Sequence, residues 1–572
     1  MYNLLFGGAA GQGIETMVSI LQKILKNSGY SVFTVRDFMS RVRGGHNFSL
    51  IRFGTEPVLS HSNCLDGIIA LTEETIELHR GNLKPEGFIL CDSKLAAEGT
   101  GIIRMDMAAI GKELGNPRVA GSIAVGALLK LFSLRLTGAE DVLKKFIKEQ
   151  YLEINKKALE RGYEMVDNRY PHLQGSSQED IILTGSQAMG LGAIAAGLRF
   201  YSAYPMSPST ALMEYLADKS LKAGIVVEQA EDEIAAINMA IGASFAGAAA
   251  MTGTSGGGFS LKVEALGLSG MAEIPLVVVD VQRPGPATGL PTRTEQSDLK
   301  FVVSASQGEF PRMVIALRNH TDAFYQTARA LCLAEKYQLP VILLSDQYLG
   351  DSSATVKPYD RNRVHSVNSL KAAKEAADQL EVSKIPEVIS EEGEYLRYRL
   401  TENGISPRRI PGRTNHFVTA DSDEHDEYGR ITESAEIRTL MMDKRLGKLK
   451  YLEQELQEPE FYGAEGYDTL LLGWGSTDGP IKEAVGILNQ ENKGRYAALV
   501  FGDLYPLPKK LLEEKAPAAD RIINVEQNAT GQLAQLIREQ TGITCDFSIL
   551  KYDGRQISGE EIADRIRKGE FA

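Results

Sequence analysis

Four cysteines are spread over 572 residues, at positions 64, 91, 332 and 545. No two share a CxxC spacing, so a thiolate-held iron–sulfur cluster or a four-cysteine zinc site is not expected in this chain. The same scarcity argues against a disulfide framework and fits a reducing, cytoplasmic setting. Positive charge is also short: 62 Lys and Arg stand against 75 Asp and Glu, a net charge of -13. A negative field repels phosphate, which argues against a general nucleic-acid or anionic-membrane binder. No run of about 20 apolar residues occurs, so no membrane span is expected. The N-terminal MYNLLFGGAAGQG has no basic start and too short an apolar run for a signal peptide.

What is present is glycine, 55 residues of it, with 43% hydrophobic and 24% charged residues. That composition suits a large α/β protein with many tight turns. Three blocks alternate strand-like and helix-like patterns. The first, 1–165, opens with a strand over 3–6, the turn GGAAGQG, a helix over 16–28 and the strand-like SGYSVFTV. This reads as a βαβ unit, with FSLIRF, GIIALT and GFILCD as further strands of a buried parallel sheet. A polar, breaker-rich linker, NRYPHLQGSSQED, precedes the second block, 181–350. Residues 351–465 are more polar and read as a connecting region with a helix over 438–456. The last block, 466–572, alternates again.

Chemistry-bearing motifs crowd into the second block. In YPMSPST, Pro205 and Pro208 stiffen a loop and bar a helix until Ser209 or later. In VVEQAEDEIAAINMAIGASFAGA, four acids, Glu228, Glu231, Asp232 and Glu233, stand ahead of an apolar run. Acids in a first turn favour the helix dipole. A helix apolar all round is buried, however, and an acid at its end loses water, which suits a functional carboxylate equally well. TGTSGGGFS places three glycines between hydroxyl residues, as close backbone packing requires. Arg283 follows the apolar strand 274–279, at the end of a parallel strand where active-site groups gather, and its fork suits a planar carboxylate. At the N-terminus, Gly7, Gly8, Gly11 and Gly13 could admit a phosphate to a helix N-terminus, although Ala10 breaks a GxGxxG spacing.

Taken together, YPMSPST, EQAEDEIAAINMAIGASFAGA, TGTSGGGFSL and GLSGMAEIPLVVVDVQRPGPATGLPTRTEQSDL resemble the α subunit of 2-oxoacid:ferredoxin oxidoreductases, which are thiamine-diphosphate enzymes. GGAAGQGIET and SRVRGGHNFSLIRFG resemble the γ domain of that family, fused here ahead of α. VEQNATGQL and YDGRQIS resemble its transketolase C-terminal-like domain. The resemblance runs over essentially the whole chain, least over 351–465. It implies a three-domain α/β fold: a γ-type domain, a thiamine-diphosphate pyrimidine-binding domain and a transketolase C-terminal-like domain.

The resemblance also implies roles. A Glu at the start of the apolar helix would share a proton with N1′ of the aminopyrimidine, while the thiazolium takes up the electrons left by departing carbon dioxide. Glu231 best occupies that place, with Glu228 and Glu233 as rivals. Tyr204, Pro205, Ser207 and Gly256 would touch the cofactor. Ser207 and Arg283 would hold the 2-oxoacid, with Arg293 as an alternative. Gly8, Gly11, Gly13 and Arg43 are candidates for coenzyme A or another anion. The GDG motif that holds diphosphate and Mg²⁺ is not found: Gly502 begins GDLYP, and the YDG at Tyr552 lies too near the end. A β subunit is therefore expected to bring diphosphate, Mg²⁺ and a [4Fe–4S] cluster that feeds ferredoxin, in an (αβ)2 assembly inactive without β. The favoured substrate is 2-oxoglutarate, with pyruvate and branched-chain oxoacids as alternatives. A nucleotide-binding oxidoreductase and a non-catalytic assembly subunit are the competing functions.

Overall fold

The computed structural model describes residues 1–39, 45–367, 394–492 and 495–572. Its elements form three sheets in two units.

The first unit comprises Met1–Thr184, Asp351–Pro358 and Ser558–Glu560. Its eight strands run in the order Ile102–Met105, Leu83–Asp92, Leu65–Ala70, Tyr2–Ala9, His46–Gly54, Ser31–Asp37, Ser353–Val356, Ile181–Thr184. The helix Ile14–Asn27 buries Met17, Ile20, Leu21, Ile24 and Leu25, at the spacing the sequence shows. The sheet is mixed rather than parallel. His46–Gly54 lies between Tyr2–Ala9 and Ser31–Asp37 and is antiparallel to both. An apolar run reports burial on both faces, not strand direction, so a central antiparallel strand reads the same way. The strand Ile181–Thr184, expected to open the second block, pairs with Ser353–Val356 in this sheet. The linker expected over 168–180 is tied to the first helix and the turn after it: the Lys26 ammonium donates to the Gln178 carbonyl, and the Ser177 amide donates to the Gly29 carbonyl at 2.9 Å.

The second unit comprises Gly185–Gly350, Tyr359–Ile557 and Glu561–Ala572. Six parallel strands form most of its larger sheet, in the order Met313–Ala316, Pro340–Asp346, Leu276–Gln282, Ala250–Thr254, Phe200–Ala203, Val226–Gln229. Asp503–Tyr505 adds an antiparallel edge. Leu276–Gln282 is buried at every position, which its run of three valines suits. A five-stranded sheet, Glu460–Gly463, Tyr496–Phe501, Thr469–Trp474, Arg521–Glu526 and Phe547–Leu550, organises the C-terminal part. The connecting region contributes the helix Ala435–Leu452, whose Lys444 and Lys448 reach the buried Glu273. No helix among the described residues is long and apolar enough to cross a membrane.

Candidate active site

Four sequence motifs follow four adjacent parallel strands. YPMSPST leaves Phe200–Ala203, the acids leave Val226–Gln229, SGGG leaves Ala250–Thr254, and Arg283 leaves Leu276–Gln282. They meet at the carboxyl edge of the sheet, the edge at which open parallel sheets bind ligands.

The four acids separate by role. The helix begins at Glu233 and runs to Phe245, two residues later than the sequence suggested. Asp232 is its N-cap, with Oδ1 accepting from the Ala235 amide at 2.8 Å. Glu228 and Glu231 are exposed, whereas Glu233 is 4% exposed. The expectation of a desolvated Glu231 is therefore corrected to Glu233. Ala230 turns inward after the strand and Asp232 is spent on the cap, so the first helical residue is the one that faces in. Glu233 Oε1 is buried and has no hydrogen-bond partner. Its surroundings are close: a Cβ added at Gly258 would lie 2.6 Å from Oε1 and overlap the Thr254 hydroxyl. The Thr254 hydroxyl also lies 4.0 Å from Met206 Sδ, which joins this strand end to the YPMSPST loop.

The same helix departs from a second expectation. It is not buried all round: Ile234 is 53% exposed and Met239 is 41% exposed. Leu261, on the helix Gly256–Met271, is 51% exposed. Among the described residues, then, this end of the unit presents apolar side chains beside a desolvated acid.

The loop groups fall into two places. Arg283 donates to the Ser207 carbonyl at 2.6 Å, which brings two expected substrate residues together, and burial pushes its guanidinium below its ordinary pKa. Ser207 and Tyr204 are exposed and Pro205 is half-buried, while Ser209 turns in and bonds the Met206 carbonyl at 2.8 Å. Arg293 lies elsewhere, its stem against the Gly554 turn: a Cβ added at Gly554 would lie 3.2 Å from Arg293 Cβ. Gly256 opens its helix above a carboxyl pair, and an added Cβ would come within 2.5 Å of Asp298 Oδ2. Burial raises both carboxyls, Asp298 to about 6 and Asp280 well above the usual range, with Asp298 raising Asp280 further.

Sequence reading missed the buried Lys262 and the role of Gln296. Gln296 sits at the far end of the RPGPATGLPTRTEQ stretch. Its amide Nε2 donates to the Trp474 carbonyl at 2.9 Å, and its backbone nitrogen donates to the Gln527 carbonyl at 2.7 Å. Asn528 returns a bond to the Gln296 carbonyl at 3.0 Å. Two motifs far apart in sequence, RTEQSDL and VEQNATGQL, thus pair with each other.

In the first unit, the glycine turn bonds to itself. Gln12 Oε1 accepts from the Ala9 amide at 2.7 Å. Gly11 and Gly13 hold φ of 91° and 79°, in the region that favours glycine, with open space where side chains would stand. Gly8 is closed over by Gln12 and Leu71. Arg43 lies outside the described residues.

Two family models match the chain. One, described as pyruvate flavodoxin/ferredoxin oxidoreductase, thiamine diP-bdg, covers residues 191–444. The other, pyruvate ferredoxin/flavodoxin oxidoreductase, covers residues 3–165. A 2-oxoacid:ferredoxin oxidoreductase subunit alpha from Sulfolobus sp is 32% identical, over 98% of this chain and 96% of that one. The chain belongs to the 2-oxoacid:ferredoxin oxidoreductase α-subunit family. A solved family structure, from Magnetococcus marinus, is a 2-oxoglutarate:ferredoxin oxidoreductase with 2-oxoglutarate, coenzyme A and succinyl-CoA bound. It superposes with a TM-score of 0.89 at 31% identity, covering 99% of each chain. A 2-oxoglutarate oxidoreductase subunit KorA from Mycobacterium tuberculosis is 33% identical, over 67% of this chain and 56% of its own length. As an oxidoreductase subunit of this family, the chain places Glu233 in the segment matched by the thiamine-diphosphate-binding model.

Proposed function

We propose that the chain is the α half of an enzyme that oxidatively decarboxylates a 2-oxoacid, favoured as 2-oxoglutarate, to its acyl-CoA with electrons passed to ferredoxin. The observation that carries this reading is Glu233, a buried carboxylate with an unpartnered Oε1 at the carboxyl edge of the sheet. A buried acceptor of that kind is costly unless a donor arrives. The protonated N1′ of an aminopyrimidine is such a donor, so the residues present fit the ring end of thiamine diphosphate. When bound, that cofactor supplies an electron sink for decarboxylation.

The chain's own residues bind and orient. Glu233 holds or gives up a proton at N1′. Thr254, Met206 and Gly258 enclose it and exclude water. Tyr204, Pro205 and Gly256 are the candidate cofactor contacts at the same strand ends. Arg283, braced on the Ser207 carbonyl, offers its remaining donors to a substrate carboxylate. A guanidinium at this place favours an oxoacid with a second carboxylate, and the names of the M. marinus and M. tuberculosis relatives point the same way. Arg293, whose stem packs on the Gly554 turn, is the alternative substrate contact.

The β subunit supplies diphosphate, Mg²⁺ and the [4Fe–4S] cluster, because the chain carries no GDG motif and no cysteine pair. It covers the apolar face at Ile234, Met239 and Leu261, in an (αβ)2 assembly. Coenzyme A is the acyl acceptor, with Gly8, Gly11, Gly13 and Arg43 as its candidate contacts.

The test is methyl viologen reduction by the reconstituted α–β complex, with a panel of 2-oxoacids. We expect CoA-dependent turnover, highest with 2-oxoglutarate. Glu233→Gln should lower kcat by roughly 10²–10⁴-fold, and Glu231→Gln should leave it within a few fold. Loss in Glu231→Gln with activity in Glu233→Gln reverses the assignment.

A further inference from the structure

Lys262 is a buried lysine that the function has not used. It stands in the second turn of the helix Gly256–Met271 and is 1% exposed. Its Nζ donates to the Glu233 carbonyl at 3.1 Å and to the Thr252 hydroxyl at 3.0 Å. One ammonium therefore ties the first residue of one helix, a central strand and a second helix. Both partners are neutral. A buried ammonium without an anion in contact costs several kcal/mol, so two hydrogen bonds alone explain its presence poorly. A methionine or leucine would fill the same volume without that cost.

The missing anion is close by. The charges that raise the affinity of Lys262 for its proton are Glu233 first and Asp232 second. Burial lowers it more strongly, to about 8, so the ammonium is still largely charged at neutral pH. Other acids face the same corner: Asp232 caps the Glu233 helix, and Asp298 sits under Gly256 at the head of the Lys262 helix. Glu228 and Glu231 are exposed and screened by water.

We propose that Lys262 is a positioning residue that fixes the first turn of the helix beginning at Glu233 and so holds the Glu233 carboxylate in place inside its closed site. The role presupposes Glu233 at the aminopyrimidine. Lys262 touches neither cofactor nor substrate; it acts through the main chain of Glu233.

The experiment uses the α–β complex and two readouts: kcat and KM for the oxoacid by methyl viologen reduction, and thiamine diphosphate affinity measured by calorimetry with Mg²⁺ present. In Lys262→Met, kcat should fall by roughly tenfold to a hundredfold with KM little changed, as a displaced catalytic group costs, and cofactor affinity should weaken. Thr252→Val removes one of the two anchors and should lower kcat by less; it decides the matter if Lys262→Met does not assemble. In a Glu233→Gln background, Lys262→Met should lower kcat by a smaller factor than in the natural chain, because the carboxylate it positions is gone. Unchanged kcat in both variants, or the same fold-loss with Glu233→Gln present, overturns the role of Lys262 while leaving Glu233 in place. Full turnover in Glu233→Gln alone overturns the assignment of Glu233 and the role of Lys262 with it.

Discussion

One methyl group is enough to probe how tightly the acid is held. Alanine at Gly258 would place Cβ 2.6 Å from Glu233 Oε1 and closer still to the Thr254 hydroxyl. Overpacking of this sort costs about 1–3 kcal/mol, but a displaced catalytic group can cost roughly 100-fold in rate. We therefore expect Gly258→Ala to lose kcat by about that factor with a melting temperature only a few degrees lower. Gly257→Ala is its control, since the added Cβ meets only the Ala287 carbonyl at 3.4 Å, an ordinary contact. Steady-state kinetics and a thermal melt on both variants decide it. Arg283→Lys keeps the charge but loses the planar fork, so KM for the oxoacid should rise by about tenfold or more, with a smaller change in kcat. At this scale the sequence narrowed the acid to a few neighbours and favoured Glu231, which the structure leaves exposed, over the buried Glu233. Burial along 228–233 depends on where the strand stops and the helix starts, and a boundary shift of two residues exchanges the exposed acid for the buried one. Lys262 carried no signal at all, because a lysine in SLKVEALG reads as a solvated helix face.

In the parallel sheet the strand over 274–279 was legible, because an unbroken apolar run ends in the Arg283 motif, and the candidate groups gather where such strands end. The direction of the first unit's strands was not, since an apolar run is silent about its neighbours. Tertiary polar contacts were equally hidden. The helix Ala435–Leu452 is held by one buried acid, Glu273, which meets the Lys444 ammonium and, at 2.5 Å, that of Lys448. Arg397 adds bonds to the Glu273 carbonyl at 2.8 Å and to Gln338 at 3.0 Å. Burial by itself would raise the Glu273 carboxyl, but the three cations hold it well below the usual carboxylate range. Burial and the crowding of like charge also lower both lysines, Lys444 to about 8. With its folded value below the ordinary 4.5, Glu273 adds stability that is present above that value and lost as pH falls through and below it. Glu273→Gln should cost about 3–5 kcal/mol near neutral pH, because it strands buried cations. Urea midpoints at neutral and acid pH should fall together less steeply in the variant than in the natural chain, and an identical pH slope would remove Glu273 from the account.

At the scale of the molecule, exposed apolar groups on the two helices that carry the candidate site fit the reading of the chain as half of a site. Ile234 and Met239 on the Glu233 helix and Leu261 on the Gly256–Met271 helix are all about half exposed, beside an acid that has shed its water. A free-standing enzyme would bury such side chains or replace them with polar ones; a subunit keeps them for its partner. The sequence pointed the same way by another route, since a helix apolar on every side must be covered by something. It overstated only who does the covering, for within the described residues the chain covers one side of that helix and leaves the other open. The decisive variant is Met239→Glu. At 41% exposure the new carboxylate reaches water in the free chain, so its melting temperature should stay within a few degrees of the natural one. Against a β subunit the same charge would be buried without a partner, at a cost of roughly 2 kcal/mol or more, about thirtyfold in affinity. Sedimentation of mixed α and β should then show weakened assembly, and methyl viologen reduction should recover as β is raised in excess. Assembly as tight as that of the natural chain would place the partner on another face.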